Sequence, residues 1–257
     1  MKSKTKIAAL VSSLTLAALT TAAVAQENPA AVQTAKTVVL VHGAFADGSS
    51  WNKVIPLLEK AGLKVVAVQN SLDSLDGDVA ATNRAINDAE GQVVLVGHSW
   101  AGAVISDAGV NDKVKSLVYV AAYAPDDGQS VYDSAKGYPQ MPALASFVKD
   151  KEGYLKVSDA GVAKFFAPDL SPSDQKLIAA TQGALNSKAL GQPVAHAAWH
   201  KVPSFAVVAA NDLIISPQQQ RDQAKRMHAT SIEVPSSHVA MLAYPKAVAG
   251  LIIKAAE

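Results

Sequence analysis

Short runs of β-branched and apolar residues recur along this chain at 37–41, 64–68, 92–96, 115–120, 205–209 and 231–234. Apolar character over so few successive positions is the mark of strands buried on both faces of a parallel sheet, and we read all six that way. Between the first two lies 51–60, closed by Gly62, and between the next two lies 78–89, closed by Gly91. Both read as crossover helices with a glycine just past their C-terminal ends, and 245–256 reads as a final helix. Strands that alternate with helices in this way predict an α/β fold with a mostly parallel, doubly wound sheet.

One interval breaks the alternation. From Tyr123 to His200 no central strand is evident, and prolines at 125, 139, 142, 168, 172 and 193 punctuate short helical pieces. The clearest piece starts at Ser171-Pro172-Ser173-Asp174, where a serine cap, a proline in the first turn and an early acid mark a helix N-terminus. So long a connection is an insertion rather than a loop, and we expect a helical cap at about 123–200 over the C-terminal edge of the sheet. Ligands of open α/β sheets bind at that edge. The cap contains Tyr132, Tyr138, Met141, Phe147 and Phe165, which would supply apolar walls.

The first 25 residues carry a different pattern. Lys2, Lys4 and Lys6 precede an uncharged stretch, 7–24, and Ala23-Val24-Ala25 offers the small-x-small pattern of a cleavage site. Residues 1–25 read as a secretory signal peptide, since Ser12, Ser13, Thr15, Thr20 and Thr21 dilute the stretch below a membrane anchor. Residues 26–35 read as a polar linker and 36–257 as the folded domain, with a periplasmic or secreted location and no membrane contact after cleavage. The 49% of hydrophobic residues suffices for one substantial core, which matters because the chain has no cysteine and hence no disulfide. The formal charge is +1, and loss of the three leader lysines leaves the rest slightly acidic, which argues against a nucleic-acid partner.

The candidate chemistry begins at Gly97-His98-Ser99-Trp100-Ala101-Gly102, directly after an apolar strand. A serine hydroxyl is a weak nucleophile until a sharp turn lifts it from the sheet and a base takes its proton. Gly97, Ala101 and Gly102 are small enough for that turn, although Ala101 stands where such motifs usually have glycine. Of six histidines, His238 follows the last strand and therefore shares the edge of the sheet with Ser99. His42 ends a strand, His98 supports the serine turn, His228 reads as exposed on a helix, and His196 and His200 lie in the cap, where they remain open as substrate-facing groups. Asp212 follows the strand just before the His238 loop and is favoured as the acid that orients the imidazole; Asp126 and Asp127, after another strand, compete with it. Oxyanion donors are expected in the backbone N–H groups of Trp100 and of Ala44, the latter in the loop His42-Gly43-Ala44.

Through these residues the chain resembles the α/β-hydrolase superfamily. Trp51-Asn52-Lys53-Val54-Ile55-Pro56-Leu57-Leu58-Glu59 and Ser237-His238-Val239-Ala240-Met241-Leu242 are similar to its branch of small capped esterases, which includes plant methyl esterases and hydroxynitrile lyases. The resemblance implies an eight-stranded sheet, a helical cap, no metal and no organic cofactor. The lyase members carry a threonine where Gly43 stands and a lysine where Val239 stands, so lyase chemistry is not expected. Ser99 likewise excludes the aspartate-nucleophile chemistry of dehalogenase and epoxide hydrolase relatives. The expectation is a Ser-His-Asp hydrolase that cleaves a small-molecule carboxylic ester through an acyl-enzyme. Two alternatives stand beside it: a non-catalytic ligand-binding or sensor protein on the same fold, and an acyltransferase or perhydrolase using the same three residues.

Overall fold

The computed structural model describes Met1 and residues 34–257; the rest of the expected leader and most of the expected linker lie outside the described residues. All six expected strands form. β1 (Thr37–Val41), β2 (Lys64–Val68), β3 (Val93–His98), β4 (Val114–Val120), β8 (Ser204–Ala209) and β9 (Thr230–Val234) make one sheet in the order β2-β1-β3-β4-β8-β9, with every neighbouring pair parallel. The eight strands implied by the resemblance are thus six among the described residues.

Burial separates the strands into two kinds. Val38 to Val41 of β1 and Val93 to Val96 of β3 are fully enclosed, as expected for strands covered on both faces. β2 and β9 are the edges of the sheet, and only Val68 and Val234 of them are buried. The expectation that all six are buried on both faces therefore fails at the two edges, where Lys64, Thr230 and Glu233 face outward.

Helices cover the faces. α1 (Ile55–Lys60) starts later than the sequence pattern suggested, because Pro56 occupies its first turn and a separate 3₁₀ turn (Gly48–Trp51) precedes it. α2 (Leu75–Asp88) starts earlier, at a Ser74 cap that accepts the Gly77 N–H. α3 (Ala101–Ala108) packs against α2, and α9 (Pro245–Ala256) packs against α1 and the central strands. Gly62 and Gly91 take positive φ, at 84° and 68°, which glycine adopts without penalty where a helix must end and turn.

The segment between β4 and β8 forms the cap. It carries the short helices α4 (Val131–Ser134), α5 (Asp159–Gly161) and α6 (Pro172–Thr181), and a π-helical turn at Val162–Phe166. α6 begins at the Ser171 cap expected from sequence. The cap is not purely helical: β5 (Phe147–Lys149), β6 (Tyr154–Val157) and β7 (Leu185–Asn186) form a small antiparallel sheet. After β8 come α7 (Pro217–Arg226), then β9, the short α8 (Ala240–Ala243) and α9.

Because the chain goes from β1 outward to β2 and then returns to β3, the strand order reverses between β1 and β3. The loops after those two strands part there and open a crevice at the C-terminal edge.

Candidate active site

Ser99 is the first residue after β3 and takes φ of 54°, a left-handed backbone that a side chain adopts only when its surroundings enforce it. The surroundings do so from both sides. The Ser99 N–H donates to the Val120 carbonyl at 3.2 Å, and its own carbonyl accepts the N–H groups of Gly102 and Tyr123 at 3.0 and 3.2 Å. The turn also requires missing side chains: a Cβ on Gly97 would lie 2.6 Å from the Ala101 carbonyl oxygen, and one on Gly102 would lie 1.8 Å from that of Tyr123. The small residues around Ser99 are therefore a geometric condition of the turn. Ala101, fully buried, meets the same condition with its single methyl.

Parallel strands place their following loops at one edge, so residues far apart in sequence meet there. His238 Nε2 lies 2.8 Å from Ser99 Oγ, and His238 Nδ1 lies 2.8 Å from Asp212 Oδ2. All three residues are buried. The Asp212 carboxylate accepts three further hydrogen bonds, from the N–H groups of Ile214 and Ile215 at 2.7 and 3.1 Å and from Gln220 Nε2 at 2.8 Å. Gln220 is anchored in turn through its Oε1, which accepts the Ala209 N–H at 2.9 Å. Such a set fixes the carboxylate plane. The sequence did not single out Gln220, which sits in a polar run of three glutamines with no local mark of burial.

His98 holds the other side of this arrangement. Its Nε2–H donates to the His238 carbonyl at 2.9 Å, so it supports the imidazole loop as well as the serine turn. Burial holds its pKa well below the ordinary 6.5, with His238 nearby adding to the effect, and the ring is neutral. Its Nδ1 is then a bare acceptor without a partner among the described residues.

Opposite Ser99, the Ala44 and Trp100 N–H groups donate to no acceptor among the described residues, and both residues line the same cavity as Ser99. Gly43 lets the first loop approach, since a Cβ there would stand 2.8 Å from the Ser99 Cβ. His42 pins that loop: its Nδ1–H donates to the Gly43 carbonyl at 2.9 Å, and its Nε2 accepts the Asn70 N–H at 3.0 Å. Trp100 is pinned by a residue not anticipated from sequence, Asp78 of α2, whose Oδ2 accepts the indole N–H at 2.9 Å while Oδ1 accepts the Leu72 N–H at 3.0 Å. Burial pushes the Asp78 carboxyl above its usual range, and these two donors pull against that shift.

The cavity above Ser99 has a volume of about 280 Å³ and is closed on its far side by the cap. Tyr132, Tyr138, Met141 and Phe147 line it as expected; Phe165 does not, and instead lies beneath the Lys164 ammonium. His196 and His200 are exposed and take no part in the lining. Asp126 and Asp127 are also engaged elsewhere. Asp126 pairs with His200 at 2.7 Å and Asp127 accepts the Ala197 N–H, so Asp212 is the carboxylate that meets His238. His228 is exposed, but it follows α7 at φ 50° rather than lying within a helix.

Comparison with known proteins agrees with this architecture. Residues 38–251 match the alpha/beta hydrolase family. Methylesterase 1 of Arabidopsis thaliana is 29% identical over 220 residues, covering 71% of this chain and 81% of that protein. A pyrethroid hydrolase of Sphingobium wenxiniae is 24% identical over 258 residues, covering 87% of this chain and 89% of that protein. Among solved structures, an extracellular α/β-hydrolase from a Paenibacillus species superposes with a TM-score of 0.70 at 22% identity, covering 85% of this chain and 98% of that one. Ester hydrolysis is thus an activity of the family. Because the match spans most of the folded domain, from β1 into the last helix, the chain belongs to the alpha/beta hydrolase family.

Proposed function

We propose that this protein is a serine esterase acting on a small, neutral carboxylic ester through an acyl-enzyme. The observation that carries the reading is the unbroken series Ser99–His238–Asp212, with 2.8 Å at each link, at the floor of a cavity lined by two free backbone donors. Ser99 Oγ attacks the ester carbonyl as His238 Nε2 takes its proton. Asp212 keeps the imidazole in the tautomer that can accept that proton, and offsets the charge that develops on the ring. The tetrahedral oxyanion lies against the Ala44 and Trp100 N–H groups, and loss of one such donor lowers turnover by about 10²–10³. The protonated His238 then gives its proton to the leaving alkoxide, the C–O bond breaks, and the acyl group remains on Ser99. Water repeats the sequence: His238 takes its proton, the hydroxide adds to the acyl carbonyl, and the acid departs as Ser99 regains its hydrogen.

Esterase and pyrethroid-hydrolase relatives support a small-molecule ester as substrate. Among the described residues no helix is long and apolar enough to cross a membrane. The same reading places cleavage after Ala25 and the mature protein in the periplasm or medium, a location that the extracellular Paenibacillus relative supports.

The test is labelling of the purified protein with a fluorophosphonate probe beside a panel of p-nitrophenyl esters, with Ser99→Ala as control. Labelling at Ser99 with turnover abolished in the variant is expected. Absence of labelling, with turnover no higher than the variant's, overturns the reading, and labelling without turnover on any ester favours a sensor role. N-terminal sequencing of the exported protein checks the start at Gln26.

A further inference from the structure

Among the described residues five helices begin with a serine in the capping position, and four of them use it. Ser74, Ser130, Ser158 and Ser171 each accept the backbone N–H three residues on, from Gly77, Asp133, Gly161 and Asp174. Ser216, at the start of α7, makes no capping bond. It is 6% exposed and lines the cavity above Ser99. A serine that forgoes its ordinary partner in a buried place has its hydroxyl available for something else.

Two other polar groups share that wall. The Tyr123 hydroxyl forms no hydrogen bond among the described residues, and burial raises its pKa so that it stays a protonated donor. Gln219, 2% exposed, spends its Nε2 on the Ser134 carbonyl at 2.9 Å, which leaves Oε1 without a partner among the described residues. All three residues line the same cavity, and their three oxygens are without a partner among the described residues. Among the described residues no ionisable acid or base other than tyrosine lines the cavity, so this wall offers a ligand hydrogen bonds and no formal charge.

We propose that Ser216, Tyr123 and Gln219 form a specificity subsite for a neutral hydroxyl group carried on the ester away from its reacting carbonyl. The Ser216 and Tyr123 hydroxyls donate to its oxygen, and Gln219 Oε1 accepts its hydrogen. An ester without such a group displaces water from these three atoms and returns nothing, which is how a polar site rejects an apolar analogue. This inference rests on the esterase reading for turnover but not for binding, and the test separates them.

Three matched pairs serve as probes: p-nitrophenyl hexanoate with 6-hydroxyhexanoate, and p-nitrophenyl 3-phenylpropanoate with each of its meta- and para-hydroxyphenyl counterparts. In the intact protein at least one hydroxylated member should exceed its partner about tenfold in kcat/KM, mainly through KM. In Ser216→Ala and in Tyr123→Phe the ratio should fall toward one. Ser216→Ala removes no helix cap, so its melting temperature should stay at the parent value and confirm that a changed ratio is not unfolding. Calorimetric titration of Ser99→Ala with the same pairs reads binding alone. Equal binding within every pair, or a preference that survives both wall variants, overturns the subsite. A binding preference in Ser99→Ala with no turnover in the parent protein supports the subsite and overturns the esterase reading alone.

Discussion

Ser99 keeps a left-handed backbone because three glycines and two strand ends leave it no other place, and one of those glycines, Gly43, comes from the neighbouring loop. A methyl at Gly43 would press on the Ser99 Cβ at 2.8 Å and the His98 carbonyl oxygen at 2.9 Å, both held by the sheet. Gly43→Ala should therefore lower kcat by at least about 10² while the protein stays folded, measured as ester turnover beside circular dichroism. Asp78 acts at one remove, through the Trp100 indole. Asp78→Ala leaves the Leu72 N–H and the Trp100 Nε1–H buried without acceptors, and urea unfolding should show a loss of about 2–4 kcal/mol. His42 and His98 tie stability to pH. Burial holds both below the ordinary 6.5, so the unfolded chain binds protons that the folded one refuses. Their contribution is complete above pH 6.5 and is lost as pH falls through their folded values. Between pH 6.5 and its folded value each group should lower stability by at most about 1.4 kcal/mol per pH unit. His98→Gln, which keeps a donor near the Nε2 position and removes the titration, should reduce that slope by one group. Ser99, His238 and Asp212 were legible because each follows a recognisable strand. Asp78 and Gln220 were not, since an acid early in a helix and a glutamine among glutamines look like solvated surface until the tertiary fold buries them.

At the scale of elements, the six central strands were legible because β-branched runs bounded by helix signals have few other readings. The strands of the cap were missed for a physical reason: three, four and two residues are too few to show a period, and their pairing comes from contacts across the insertion. The edges misled in another way, because the apolar content of β2 hid that only one of its five residues is buried. Asp169 is one of the side chains that fasten the cap to the base of the site. Asp169 accepts the Ser237 N–H at 2.8 Å and hydrogen bonds from the Ser236 and Ser237 hydroxyls, while the Phe166 ring meets the His238 ring at 5.1 Å. Asp169→Ala unfastens the loop that carries His238. We expect kcat to fall about tenfold or more with KM changed less, and a melting temperature lowered by a few degrees, from steady-state kinetics beside a thermal scan.

Over the whole molecule, the decisive fact is direction. Six parallel strands send the loops after β1, β3, β8 and β9 to one edge, so a reading of strand order in sequence already predicts which residues meet. The number of strands came from resemblance and was too high. The charge pattern follows from the same arrangement: among the described residues the cavity lining holds no carboxylate or cation, while the buried carboxyl groups of Asp78 and Asp212 are bonded to Trp100 and His238. A neutral ester should therefore exceed a matched hemiester bearing a free carboxylate by about tenfold or more in kcat/KM, and 0.5 M salt should narrow that gap only slightly; equal rates on the two count against this charge map. The same topology has a temporal side. Ser99 and His238 lie 139 residues apart, and the strand that delivers His238 is the last of the sheet. On the proposed esterase reading a growing chain carries its serine long before it carries the base, so the site is incomplete until the loop after β9 is in place.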